Sequence, residues 1–400
     1  MFNFCSVLLR YILLKEHATM AEDIKTDSRL TGESSRRVLR RDPDPHLFRP
    51  ITFRGVTARN RIMLSPMCQY SAQDGLANDW HFAHLAARAA GGAGLVFTEA
   101  VHTEPRGRIT PYCLGLWTDQ QGDALSRIAA FISSQGAVPG IQLGHAGRKA
   151  SVGRPWEGSS PVPIGAGGWD TIAPSKTSYS HDWSKPAQLD QLGIAEQLLS
   201  LAAATSRARK AGFRVLELHA AHGYLIHQFL SPLSNLRQDQ YGGDFVNRTR
   251  FLLESIDAVR SEWPDELPLF IRLSVTDWVE GGWTVDDSVA LAKILKDRGD
   301  VDLIDCSSGG NDPRQKIPIH PGYQVPFAST IRLKTGMATG AVGLISAPDH
   351  AEAILANGDA DLIILGRSLL ADPVWPLRAA KHLKTENVDW PVQYERSDIY

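Results

Sequence analysis

The chain has 400 residues, 43% hydrophobic and 22% charged, and 42 basic residues against 44 acidic ones leave a net charge of -2. That is globular composition with material for a large core, and with no basic excess or acidic tail it gives no ground for nucleic-acid binding. The four cysteines, Cys5, Cys68, Cys113 and Cys306, form neither a CxxC pair nor a metal-ligand spacing, which fits a reducing compartment without a disulfide framework.

The N-terminus opens MFNFCSVLLRYILLKEHATM. Its apolar run SVLLRYILL is too short to span a bilayer. Arg10 and Lys15 flank apolar residues as in a targeting segment, but a long apolar region and a small-residue cleavage pattern are missing. Residues 21–45 are polar and charged. Residues 1–45 are therefore expected to be a disordered extension, and 46–400 one domain of a cytoplasmic protein without a membrane span.

From about residue 60 a short apolar run followed by a helix-like stretch recurs eight times. The runs cover 62–67, 94–100, 138–147, 213–220, 269–275, 301–308, 336–345 and 360–367. Near-continuous apolar runs suit parallel strands covered on both faces. Helices are predicted over 189–211, with Gly212 ending it, over 246–263, and over 284–298, with Thr284 as N-cap and Gly299 as stop. Eight strand–helix units predict a single (β/α)8 barrel. A doubly wound sheet is the alternative, and the missing GxGxxG turn after the first strand counts against it. Residues 148–188, rich in Gly, Pro and Ser with three tryptophans, form an unusually long connection after the third strand, read as a partial lid.

Residues at the C-terminal ends of barrel strands face the catalytic mouth. The fourth strand ends in His219, His222 and Tyr224. Three readings stand open. The histidines are core residues, a metal pair of HxxH type, or donors to a substrate oxygen that gains negative charge, with Tyr224 as proton donor. Other strand ends offer Gln142, His145, Arg272 and Cys306, and Arg272 would repel a cation. The glycine-bearing ends of strands seven and eight, with Gly343, Gly366 and Arg367, suit a phosphate. Cys68 follows the first strand.

The ordered motifs NRIMLSPMCQY, FTEA, IQLGHAGRKA, LELHAAHGYLIHQFLSPLSN, DLIDCSSG, PGYQVPFA, MATGAVGLI, ILGRSLLADP and PVQYER resemble the Old Yellow Enzyme flavoproteins, in their thermophilic-like, bacterial-type ene-reductase branch, over roughly 46–396. The resemblance implies FMN at the barrel mouth, with NADPH, or NADH, as hydride donor. Ser65, Pro66, Met67 and Cys68 would line one side of the flavin, Ala100 and Gln142 its ring, and Arg272 the edge that turns anionic. Gly343, Gly366 and Arg367 would hold the phosphate. His219 and His222 would grip the carbonyl oxygen of an enone, Tyr224 would protonate its α-carbon, and Tyr70 would line the substrate pocket. Arg396 would reach into a neighbouring subunit, implying a homodimer or a dimer of dimers. The extension and the 148–188 loop depart from compact members, and no cysteine cluster of the iron–sulfur relatives follows the barrel. A metal-dependent barrel hydrolase and a non-catalytic flavin-binding protein are the rival readings.

Overall fold

A computed structural model describes residues 44–397, so the expectations for residues 1–43, as disordered extension or targeting segment, lie outside the described residues. Eight parallel strands close into a barrel in chain order: β1 (Ile62–Leu64), β2 (Leu95–His102), β3 (Val138–Gly144), β4 (Val215–Ala220), β5 (Leu269–Ser274), β6 (Leu303–Ser307), β7 (Thr339–Ala341) and β8 (Leu362–Leu365), with β8 pairing back to β1. Every residue of these strands is buried, which is why the runs read as continuous rather than alternating. All but β2, which runs on to His102, are shorter than the apolar runs. The first stops at Leu64 because Pro66 brings no N–H to the ladder.

The outer ring comprises α1 (Asp79–Ala90), α2 (Asp119–Ser134), α3 (Gln191–Lys210), α4 (Leu225–Leu230), α5 (Phe245–Arg260), α6 (Val285–Arg298), α7 (Val325–Thr335), α8 (Pro348–Ala356), α9 (Arg367–Ala371) and α10 (Trp375–His382). The predicted caps are in place: Thr284 and Asp287 close a reciprocal capping box on α6, and Gly299 ends it. The helix predicted to reach residue 263 stops at Arg260. Trp263 precedes a proline, a position that disfavours helical backbone. Its ring turns into the core instead and donates Nε1 to the Pro268 carbonyl at 3.0 Å.

An antiparallel hairpin, Ile51–Phe53 against Val56–Ala58, lies across the N-terminal end of the barrel. Phe53 meets Phe270 of β5 edge-on at 5.0 Å, and Phe97 of β2 lies against Phe270 at 6.2 Å. Aromatic rings thus fill that end, and polar groups collect toward the other. The 148–188 connection is anchored at its base. Arg148 donates to the Asn311 carbonyl at 2.7 Å, and Trp169 Nε1 to the Arg106 carbonyl at 2.8 Å. Its tip stands out, with Trp156 64% and Ile164 65% exposed. Among the described residues no helix is long and apolar enough to cross a membrane.

Candidate active site

The strand-to-helix turn after β4 gathers three rings. His219 and His222 have centroids 5.1 Å apart, and Tyr224 lies 4.9 Å from His219 and 6.5 Å from His222, all crossed near edge-on. The turn needs backbone that β-structure cannot supply. His222 adopts φ +59° and Gly223 φ +71°, a left-handed pair in which a non-glycine residue is held against its preference. At Gly223 a Cβ would stand 2.3 Å from the Gly310 carbonyl oxygen, so only glycine lets the β6 loop pack here. The strained residue is tied at both ends: its N–H donates to Ser274 Oγ at 2.9 Å, and its carbonyl accepts from Lys149 Nζ at 2.9 Å.

A backbone hydrogen bond fixes the free nitrogen of His219, and at His222 the Ser307 hydroxyl can do the same. The Ala221 N–H donates to His219 Nδ1 at 3.2 Å, leaving Nε2 to carry the proton of the neutral ring. Ser307 Oγ of β6 stands 2.6 Å from His222 Nε2. With that hydroxyl donating, His222 keeps its proton on Nδ1. Burial, then Arg272, hold both imidazoles well below the usual histidine range, so both are neutral. Burial raises Tyr224 well above the usual phenol range, and the hydroxyl stays protonated. Lys149 caps the cluster, its ammonium 4.7 Å from the Tyr179 ring and 5.3 Å from Tyr224. Burial, then Arg148, bring this lysine down to about 7.

These rings open onto a cavity of about 720 Å³ at the C-terminal end of the strands, within the size range of small-molecule and cofactor sites. Ser65, Pro66, Met67, Cys68 and Tyr70 line it from the segment after β1, with Ala100 and Gln142 from β2 and β3. His219, His222, Tyr224 and Arg272 line it too. Gly343, Gly366 and Arg367 line the side formed after β7 and β8. Of the residues that the resemblance assigned to the site, Arg396 alone stays away, exposed near the chain end. The Cys68 thiol is held well above its usual range by the Cys113 thiol, by burial and by Glu99, and is a neutral group in this wall.

Two residues offered as strand-end candidates turn elsewhere. Cys306 is fully buried among apolar residues, because Asp305, its neighbour on β6, takes the inward position opposite Arg272. His145 spends both ring nitrogens, one 2.8 Å from Glu104 and one accepting from the Gly147 N–H at 2.9 Å. The cavity also contains residues that reasoning from the sequence did not single out: Ser307, Tyr323 and Gln324, the last two inside the PGYQ motif, while Lys149 stands beside it.

The lining suits a flavin mononucleotide. Gly343 has φ +131°, and a Cβ there would come within 3.2 Å of Tyr323 and Gln324, so the backbone lies open only with glycine. Arg367 supplies a cation on that side. Arg367 is exposed, whereas deeper in Arg272, a buried second cation in the floor, donates to Ser65 Oγ at 3.2 Å. A phosphate thus has a cradle at one end and a ring that gains negative charge has a guanidinium at the other. Among the described residues no group of three or more His, Cys, Asp or Glu side chains is placed to hold a metal ion.

Known proteins carry the same arrangement of chain. The profile of the NADH:flavin oxidoreductase / NADH oxidase family matches residues 46–386. An NADPH dehydrogenase of Geobacillus sp. (strain WCH70) is 48% identical over 352 residues, 88% of this chain and 98% of that relative. Morphinone reductase superposes with a TM-score of 0.72 at 26% identity, covering 88% of this chain and 93% of its own. A 2-naphthoyl-CoA reductase in complex with 2-naphthoyl-CoA superposes at 0.77 with 27% identity over 84% of this chain, which spans about half, 52%, of that longer chain. The chain is an FMN-binding oxidoreductase of the NADPH dehydrogenase type. With the barrel, the cavity and these relatives together, it belongs to the NADH:flavin oxidoreductase / NADH oxidase family, among the Old Yellow Enzyme-type enzymes.

Proposed function

We propose that the enzyme reduces the activated C=C bond of α,β-unsaturated carbonyl compounds. One observation carries the reading: two imidazoles held neutral by burial cross within 5.1 Å beside a protonated tyrosine over one cavity. FMN, when bound, supplies the hydride that it takes from NADPH. His219 Nε2 and His222 Nδ1 donate to the substrate carbonyl oxygen, and their hydrogen bonds strengthen as that oxygen gains charge. Neutral rings suit this task, because each donates without surrendering its proton. Tyr224 Oη delivers a proton to the α-carbon. Lys149 restrains the strained turn and presents a cation to the tyrosine ring. Gly343, Gly366 and Arg367 hold the cofactor phosphate, Gln142 and Arg272 face the ring, and Tyr70 with Cys68 bounds the substrate side. NADPH and enone use the same cavity in turn, which gives ping-pong kinetics. Exposed Arg396 is free to enter a neighbouring subunit's site in a homodimer or a dimer of dimers.

The test separates the half-reactions. In Tyr224→Phe, anaerobic reduction by NADPH persists while reoxidation by cyclohexenone slows at least 100-fold, at the lower end of general acid catalysis, ~100- to 10,000-fold. Equal losses in both halves would remove the proton-donor role.

A further inference from the structure

Under the cavity floor four polar side chains from consecutive strands meet inside the barrel: Gln142 of β3, Glu217 of β4, Arg272 of β5 and Asp305 of β6. Gln142 and Arg272 line the cavity, and the two acids lie behind them with no exposed surface. Gln142 Nε2 donates to Glu217 Oε1 at 2.7 Å. Arg272 Nε stands 3.2 Å from Asp305 Oδ2. Glu217 Oε2 is buried with no partner. One guanidinium thus stands between two buried carboxyl groups, and nothing in the proposed reaction uses either acid.

A carboxyl in this position controls an amide. Ionised, it accepts from the Gln142 N–H, and the amide presents its carbonyl oxygen to the cavity. Protonated, its O–H donates to the amide oxygen, and the amide presents its NH₂ group. The groups that act on Glu217 are Asp305 facing it from β6, Arg272 beside it on β5 and Gln142 on β3. His219, further along its own strand, is neutral. Burial and the neighbouring Asp305 outweigh Arg272 and the amide, and push the Glu217 carboxyl up to about 8. The two states therefore exchange within a working pH range.

We propose that Glu217 is a positioning residue that acts through Gln142, setting whether the cavity floor offers bound flavin a hydrogen-bond acceptor or a donor, and that flavin reduction is coupled to proton uptake at this carboxyl. The coupling rests on placing FMN in this cavity. Hydride from NADPH brings two electrons and negative charge to the ring. That charge disfavours the nearby carboxylate and favours an N–H donor beneath it. A proton from solvent then forms an O–H bond on Glu217, and the gain of one positive charge offsets the negative charge gained above.

The midpoint potential of the holoenzyme, measured from pH 6 to 10, tests this. In the wild type the reduction equilibrium gains an extra tenfold dependence per pH unit over a window near pH 8, about 30 mV per unit for a two-electron couple. Glu217→Gln, which keeps the shape and cannot titrate, loses that extra dependence. Asp305→Asn removes the like charge and moves the window to lower pH. The visible spectrum of oxidised holoenzyme shifts across the same window in the wild type and not in Glu217→Gln. Identical profiles in wild type and Glu217→Gln, or a wild-type profile without a break from pH 6 to 10, would overturn the proposal. If Glu217→Gln does not fold, an unmoved window in Asp305→Asn overturns it equally. A purified protein that takes up no FMN would instead sink the cofactor placement.

Discussion

Ser307 sits 85 residues along the chain from His222, yet its hydroxyl meets His222 Nε2 at 2.6 Å. Replacing it with alanine removes no ligand contact assigned to it and leaves the turn held by Ser274 and Lys149. What is lost is the preference for the proton on Nδ1, since a bare Nε2 can carry it as well. A net hydrogen bond of ~0.5–1.5 kcal/mol converts to a dissociation constant about 2- to 13-fold higher. His222→Ala deletes the donor itself. A bond to a charged oxygen contributes ~1.5–3 kcal/mol, so its effect is about 13- to 160-fold. The assay is titration of the oxidised holoenzyme with a phenol, whose oxygen stands in for the substrate oxygen at full charge. Visible absorbance follows binding, and flavin content serves as the control. The expected order of weakening is His222→Ala beyond Ser307→Ala beyond wild type. A Ser307→Ala protein that binds phenol as tightly as wild type, with full flavin content, would refute the fixed-tautomer argument.

Arg367→Met keeps the length of the side chain and removes the cation. FMN affinity should fall about 13- to 160-fold, the equivalent of one charge-assisted hydrogen bond of ~1.5–3 kcal/mol, in a fluorescence titration of apoprotein; unchanged affinity would take Arg367 out of the cradle. His84 is held at about 4 by burial, then by Arg88 and His81, against 6.5 when unfolded. The unfolded chain therefore binds more protons between those values. Stability is fully present above pH 6.5 and falls by up to roughly 3 kcal/mol as pH drops toward 4. His84→Gln should flatten that part of the urea-midpoint profile, and parallel profiles would contradict it. Thr284→Ala opens the capping box on α6, where Asp287 N–H donates to Thr284 Oγ1 at 3.2 Å and Thr284 N–H to Asp287 Oδ2 at 3.0 Å. It should cost about 1 kcal/mol in urea denaturation with enone turnover intact, and a turnover loss beyond twofold would show that α6 reaches the site.

The barrel was legible because parallel strands covered on both faces carry unbroken apolar runs, and because Thr284 and Gly299 mark a helix start and stop chemically. The histidine–tyrosine turn was legible for a similar reason. Its three side chains lie within six residues, on a strand end that barrel topology sends to the mouth. Other features needed the closed barrel. Asp305 and Cys306 are adjacent in DLIDCSSG, and strand alternation puts one inside and one outside. Which faces in follows only from pairing Asp305 with Arg272 on the neighbouring strand. Lys149 reads as a loop cation until folding carries it to the carbonyls of His222 and Gly310.

Local sequence thus determined where strands, caps and the histidine–tyrosine turn occur, since hydrophobic period and backbone preference act over a few residues. Protonation, tautomer and charge pairing were decided by the tertiary structure. A burial-driven shift, or a hydroxyl 2.6 Å from a ring nitrogen, exists only once β4, β5 and β6 stand side by side and water is excluded between them.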